Sequence, residues 1–198
     1  SKSLSAKVVR KGLKPALIAI DEVRGKLGAA PRAADGYVEN IDLTRLPGYM
    51  MEIAGEALHP EYNEAALAWL SNRMRQNWSE GRFASAIVRE SDGALAGIFT
   101  YVLQPDGLAQ VLQLFAKNRQ AAQRVVPHLL KHAYDAGAIR LSGRIEQRCV
   151  QQLVAQHCAL EYRRQLVLFH AKQTALLNHV LRGEALLSGL DGEWWMMF

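Results

Sequence analysis

The two turn signals Ser91-Asp92-Gly93 and Pro105-Asp106-Gly107 constrain this chain more than any other feature. Each separates runs that alternate apolar and polar residues: 82–90, 94–104 and 108–115. Alternation puts every second side chain on one face of a strand. A short Gly-containing turn then returns the chain antiparallel to itself. Residues 82–115 therefore predict a three-stranded meander, with Leu95, Gly97, Phe99, Tyr101 and Leu103 on one side of its central strand. Such a sheet has two faces to cover, so helices must pack against it.

The flanking segments supply helices. Residues 37–43 predict a short strand, followed by a helix capped by Thr44 with Pro47 in its first turn. Asn63 caps a second helix carrying Leu67, Leu70 and Met74. After the meander, Ala122, Val125, Val126, Leu129, Leu130 and Ala133 recur at helical spacing, and Gly137 is a natural stop. Pro127 lies inside that pattern, where it removes one hydrogen bond and crowds the carbonyl of Gln123. The helix therefore starts near 122, or a few residues later with 117–124 left as a longer loop. Residues 139–145 predict a strand, 148–157 a short helix, 160–171 one long strand or two short ones, and 173–183 a last helix. Together these give an α/β (α+β) fold with a mixed, mostly antiparallel central sheet flanked by helices.

Charge separates the chain into two parts. Residues 1–34 hold eight Lys/Arg and two acids, while the rest holds sixteen and seventeen. The globular part is nearly neutral, so nucleic-acid binding is not expected of it. Residues 1–35 predict a basic helical extension or linker, or the tail of a preceding domain in a longer protein; 36–198 form the main domain. No apolar run approaches the ~20 residues of a membrane-spanning helix. Cys149 and Cys158 are too few for a disulfide scaffold and have no zinc-type spacing, so a reducing cytoplasm is expected.

The order strand, two helices, meander, helix, strand, helix, strand resembles the GNAT superfamily of N-acetyltransferases. The resemblance rests on the meander with its two turns, the helix 120–136, "AIRLSGRI" (138–145), "QRCVQQLVAQHCALEY" (147–162) and the tail "LDGEWWMMF" (190–198). It implies an N-acyltransferase moving an acyl group from acetyl-CoA or another acyl-CoA to an amine on a small molecule or peptide. The donor arm would lie between strands 108–115 and 139–145, contacting Val111, Gln113 and Leu114, with backbone amides around Val111–Leu114 polarising the thioester carbonyl. The pyrophosphate would rest on the following helix N-terminus, where free N–H groups and the helix dipole favour an anion. The family loop Gln/Arg-x-x-Gly-x-Gly/Ala matches Lys117, Asn118, Arg119, Gln120, Ala121 and Ala122, with Gln120 in place of the central glycine. Lys117, Arg119 and Arg124 could also meet an anion with side chains; a solvated basic loop is the other reading.

A second family motif, Asn-x-x-Ala-x-x-x-Tyr, places Glu146 at the Asn, Cys149 at the Ala and Leu153 at the Tyr. Leucine cannot donate a proton to a leaving thiolate, so Tyr162 is the alternative acid and Glu146 the candidate base. These departures keep a second expectation open: a catalytically degenerate module acting in binding or assembly beside another domain. Glu90 is a lesser candidate base, read first as a solvated turn residue. His128 and His132, four apart on one helix, read as solvated histidines rather than metal ligands. Trp69 and Trp78 read as core or cleft-wall residues. The apolar tail Trp194–Phe198 is expected to fold onto the sheet or a partner subunit, which leaves a homodimer open.

Overall fold

The computed structural model describes residues 30–160 and 171–190. Among these residues the sheet has five strands in sequential order: β1 (Tyr37–Asn40), β2 (Arg82–Arg89), β3 (Leu95–Leu103), β4 (Leu108–Ala116) and β5 (Arg140–Gly143). β1 to β4 pair antiparallel, and β4 pairs β5 in parallel. The fold is α+β, and the meander lies where its two turns predict it.

Two register shifts modify the plain alternation. Arg89 pairs with Leu95 while Val88 pairs with Gly97, so Ala96 is an extra residue. Leu95 consequently joins the opposite face from Phe99, Tyr101 and Leu103, which corrects the expected one-sided row. In β4, Thr100 pairs with Gln113 and Tyr101 with Val111, leaving Leu112 as the extra residue. A bulge of this kind bends the strand and increases its twist.

α1 (Leu46–Ala54) and α2 (Glu64–Asn77) cover one face. Their Leu46, Met50, Ile53, Leu67 and Met74 pack on Ile87, Ile98, Val102, Leu112 and Phe115. Asn63 caps α2 by accepting the Ala66 N–H at 2.8 Å, as the sequence predicts. Neither Thr44 nor the N-cap residue Arg45 caps α1 with its side chain; the 3-10 turn ahead of it (Leu43–Arg45) is capped by Asp42. Its carboxylate accepts the Thr44 N–H at 2.9 Å and the Thr44 hydroxyl at 2.7 Å.

α3 (Arg119–Asp135) covers the other face, with Val125, Val126 and Leu129 against Phe99, Tyr101, Val111 and Leu114. It starts at Arg119, so 119–124 are its first turns and the longer loop is not found. Asn118 caps it, and Pro127 sits within it. A proline inside a helix costs about 3 kcal/mol. Full burial of Val125, Val126 and Leu129 contributes roughly 1.5–3 kcal/mol each, so the sheet-facing stripe outweighs the local penalty. After β5 come a 3-10 turn (Gln147–Cys149), α4 (Val150–Ala155) and α5 (Thr174–Leu181). The strand expected over 160–171 and the tail 191–198 lie almost wholly outside the described residues.

Candidate functional site

β4 and β5 start side by side and then part. The paired rungs run from Leu108 opposite Arg140 to Val111 opposite Gly143. Gly143 permits that last close rung, because a Cβ there would lie 2.7 Å from the Cβ of Val111. β4 continues to Ala116, whereas the chain after Gly143 leads into Arg144, Ile145 and Glu146. A cleft forms between the two, bounded by Val111–Phe115 on one side and 144–146 on the other. Val111, Gln113, Leu114 and Glu146, which the resemblance places together, all line it.

Glu146 is 9% exposed, and burial raises its carboxyl above the usual range, while the Arg148 N–H and the charges of Arg148 and Arg144 oppose that rise. One of its oxygens accepts the Arg148 N–H at 3.3 Å. A buried carboxyl with a raised pKa, lining a cleft, is the usual setting of a general base working near neutral pH. Cys149 lies next to it, and burial pushes its thiol up to about 12, which leaves it inert as a nucleophile. Leu153 is buried in the α3-side core. Gln113 turns toward α1, its Nε2 3.8 Å from the Met50 sulfur, and its Oε1 has no hydrogen-bond partner among the described residues.

The cleft also contains a segment that the sequence did not point to. Leu187, Ser188 and Gly189 line it, and the Gly189 N–H donates to the Leu112 carbonyl at 2.5 Å. The remaining free space is about 10 Å³, roughly what one water needs. The segment is anchored beside α1: Leu58 N–H donates to Glu184, and Leu186 N–H donates to Leu58. Leu186 and Leu190 are both buried. Nothing local in 184–190 announces this, because both contacts are long-range in sequence.

At the far end of the cleft, the predicted anion loop is largely satisfied from within. Asn118 Oδ1 accepts the Ala121 N–H at 2.8 Å, its carbonyl accepts the Ala122 N–H at 3.1 Å, and the Lys117 N–H bonds to Ala96. Arg119 and Gln120 remain as first-turn N–H groups without a helical partner. Lys117 stands 4.0 Å from Glu52, and Arg124 3.5 Å from Glu90. Glu90 is thus an ion-pair partner as well as a turn residue. Arg148, also missed from sequence, closes this end. Its Nη1 donates to the carbonyls of Lys117 (3.0 Å) and Ala116 (3.2 Å), with the Ile53 carbonyl at 3.5 Å.

The two helix histidines are not solvated, against expectation. His128 is buried beneath the segment before β1, its Nε2 has no partner among the described residues, and burial lowers its pKa. His132 is half-buried, and burial lowers its pKa too. Its Nε2 faces Asn40 Oδ1 at 3.1 Å, an acceptor, which makes Nε2 the protonated nitrogen. Nδ1 then accepts the Tyr101 hydroxyl at 2.9 Å. Among the described residues no His, Cys, Asp and Glu cluster fits a metal ion. Trp78 belongs to the core, but Trp69 is 58% exposed. Tyr162 lies outside the described residues. A larger hollow of about 190 Å³ beside Trp78 and Pro105 carries Glu80 as its only titratable group among the described residues. No described helix is long and apolar enough to cross a membrane.

No family model matches the chain, and no curated protein does. Two solved structures of TTHA1254 from Thermus thermophilus, the wild type and a point mutant, are similar to it. Each shares 15% identity at a TM-score of 0.45, covering 69% of this chain and 99% of that one. A likeness at that score carries no argument about function.

Proposed function

We propose that this chain is a GNAT-type acyltransferase that moves an acyl group from an acyl-CoA, or a related thioester, to an amine. The observation that carries this reading is the parting of β4 from β5 after Val111 and Gly143, beside the buried carboxyl of Glu146. A parallel pair that opens toward a helix N-terminus offers an extended arm backbone groups on one side and its phosphates a dipole at the end. Glu146 takes a proton from the amine as the new C–N bond forms and the C–S bond breaks. Leu153 gives the leaving thiolate no proton, so a hydroxyl such as that of Tyr162 or a water supplies it. As the cleft stands, its 10 Å³ does not admit the donor arm with Leu187–Gly189 in place.

That occupancy favours a second reading, a GNAT-fold module that binds no donor and acts beside another domain. Thermal unfolding with and without excess acetyl-CoA and longer acyl-CoAs separates the two. A ligand at 100 times its Kd adds about 2.7 kcal/mol, a rise of about 5–10 °C for a chain of this size. An unchanged Tm with every acyl-CoA would sink acyl-CoA as the donor and leave the second reading, or a carrier-bound thioester donor, in its place.

A further inference from the structure

We propose that residues 184–190 are a displaceable strap whose Gly189 peptide group stands in for an amide of the donor arm, so that donor binding requires Leu187–Gly189 to leave the cleft. The proposal rests on the acyltransferase reading and deepens it. The pantetheine arm of an acyl-CoA carries two secondary amides. Each has one N–H and one carbonyl, the same pair a peptide unit offers. The Leu112 carbonyl is turned toward the cleft and accepts the Gly189 N–H at 2.5 Å. An arm lying along β4 needs that acceptor, and the strap and the arm cannot use it together in about 10 Å³ of free space.

The strap is built to move and return. Its first part is fixed by the Leu58–Ala185 bridge and by the bonds of Leu58 with Glu184 and Leu186. Buried Leu186 and Leu190 flank the part inside the cleft. Leu187–Gly189 can therefore swing out between two anchors, and the anchors favour its return once the arm leaves. Arg148 acts at the far end, holding the Ala116 and Lys117 carbonyls across the route to α3. Apparent donor affinity is then the intrinsic affinity reduced by the fraction of molecules with the strap out.

Hydrogen exchange read by mass spectrometry on the full chain, with and without saturating acetyl-CoA, tests this. Calorimetric titration of acetyl-CoA into wild type and Gly189→Pro accompanies it. Proline has no N–H to donate to Leu112, and one lost hydrogen bond of ordinary strength predicts about fivefold tighter binding. The expected result is faster exchange over 184–190 when donor is bound. Acetyl-CoA binding to Gly189→Pro alone also supports the strap. Binding by wild type with unchanged exchange over 184–190 overturns the strap and spares the acyltransferase reading. No binding of acetyl-CoA by either protein overturns the strap and leaves the acyltransferase reading to the test with longer acyl-CoAs. The exchange measurement on wild type stands even where the proline variant fails to fold.

Discussion

The two halves of β4 differ in what lies along their edges. Leu108–Val111 has a strand on both sides, β3 and β5. Leu112–Ala116 has β3 on one side, while its other edge meets groups that are not strands. Gly189 satisfies the Leu112 carbonyl and Arg148 the Ala116 carbonyl. A buried backbone acceptor left unpaired costs about 1–3 kcal/mol, so an opened sheet edge must be closed by something. The first half is closed by regular structure that can only be structural. The second half is closed by two separate donors from distant parts of the chain.

The comparison can be broken by weakening the open half where it should still be firm. Phe115 belongs to that half yet is 1% exposed in the α1–α2 core. Phe115→Ala should cost about 3–5 kcal/mol in urea unfolding. A loss under about 1 kcal/mol, well below the range for a buried aromatic, would mean that the open half is loose as well as unpaired. Arg148→Met keeps an aliphatic stem and removes the guanidinium from the three carbonyls. It should cost about 1.5–3 kcal/mol, the range for hydrogen bonds to a charged donor. No loss would show that the Ala116 edge is satisfied without it.

The smallest effect sharpens the chemistry of the cleft. Burial favours the neutral form of Glu146, so its folded pKa lies above the usual carboxylate range. Any stability tied to the proton on Glu146 is present below the unfolded pKa and is lost as pH rises through the folded one. Glu146→Gln should therefore gain on wild type as pH rises through and above the usual carboxylate range. A stability difference that does not change with pH across that range would place the carboxylate in a solvated setting and remove its case as a base.

The sequence read well at most places where the deciding contact was local, the Thr44 cap excepted. The two turns, the Asn63 cap, Pro47 in the first turn of α1 and the Gly137 stop each depend on a few neighbouring residues. It read poorly wherever a distant segment decided. Pro127 argued for a late helix start, but the sheet beneath Val125 and Leu129 holds α3 to Asn118. His128 and His132 stood off the apolar stripe, yet the segment before β1 and Asn40 cover that side of the helix. The site divides the same way. Val111, Gln113, Leu114 and Glu146 followed from element order, whereas Arg148 and Leu187–Gly189 reach the cleft from elsewhere.

The bridge between Leu58 and Ala185 has one more consequence, for the order in which the molecule is made. It joins positions near opposite ends of the described chain, and closing so long a loop is slow and entropically costly. During synthesis the N-terminal elements emerge first and begin to fold. The meander, α3 and β5 are therefore all out before residue 184 appears. The nascent sheet passes through a stage with the Leu112 carbonyl on the β4 edge uncovered, and the last described segment to arrive is the one that covers it.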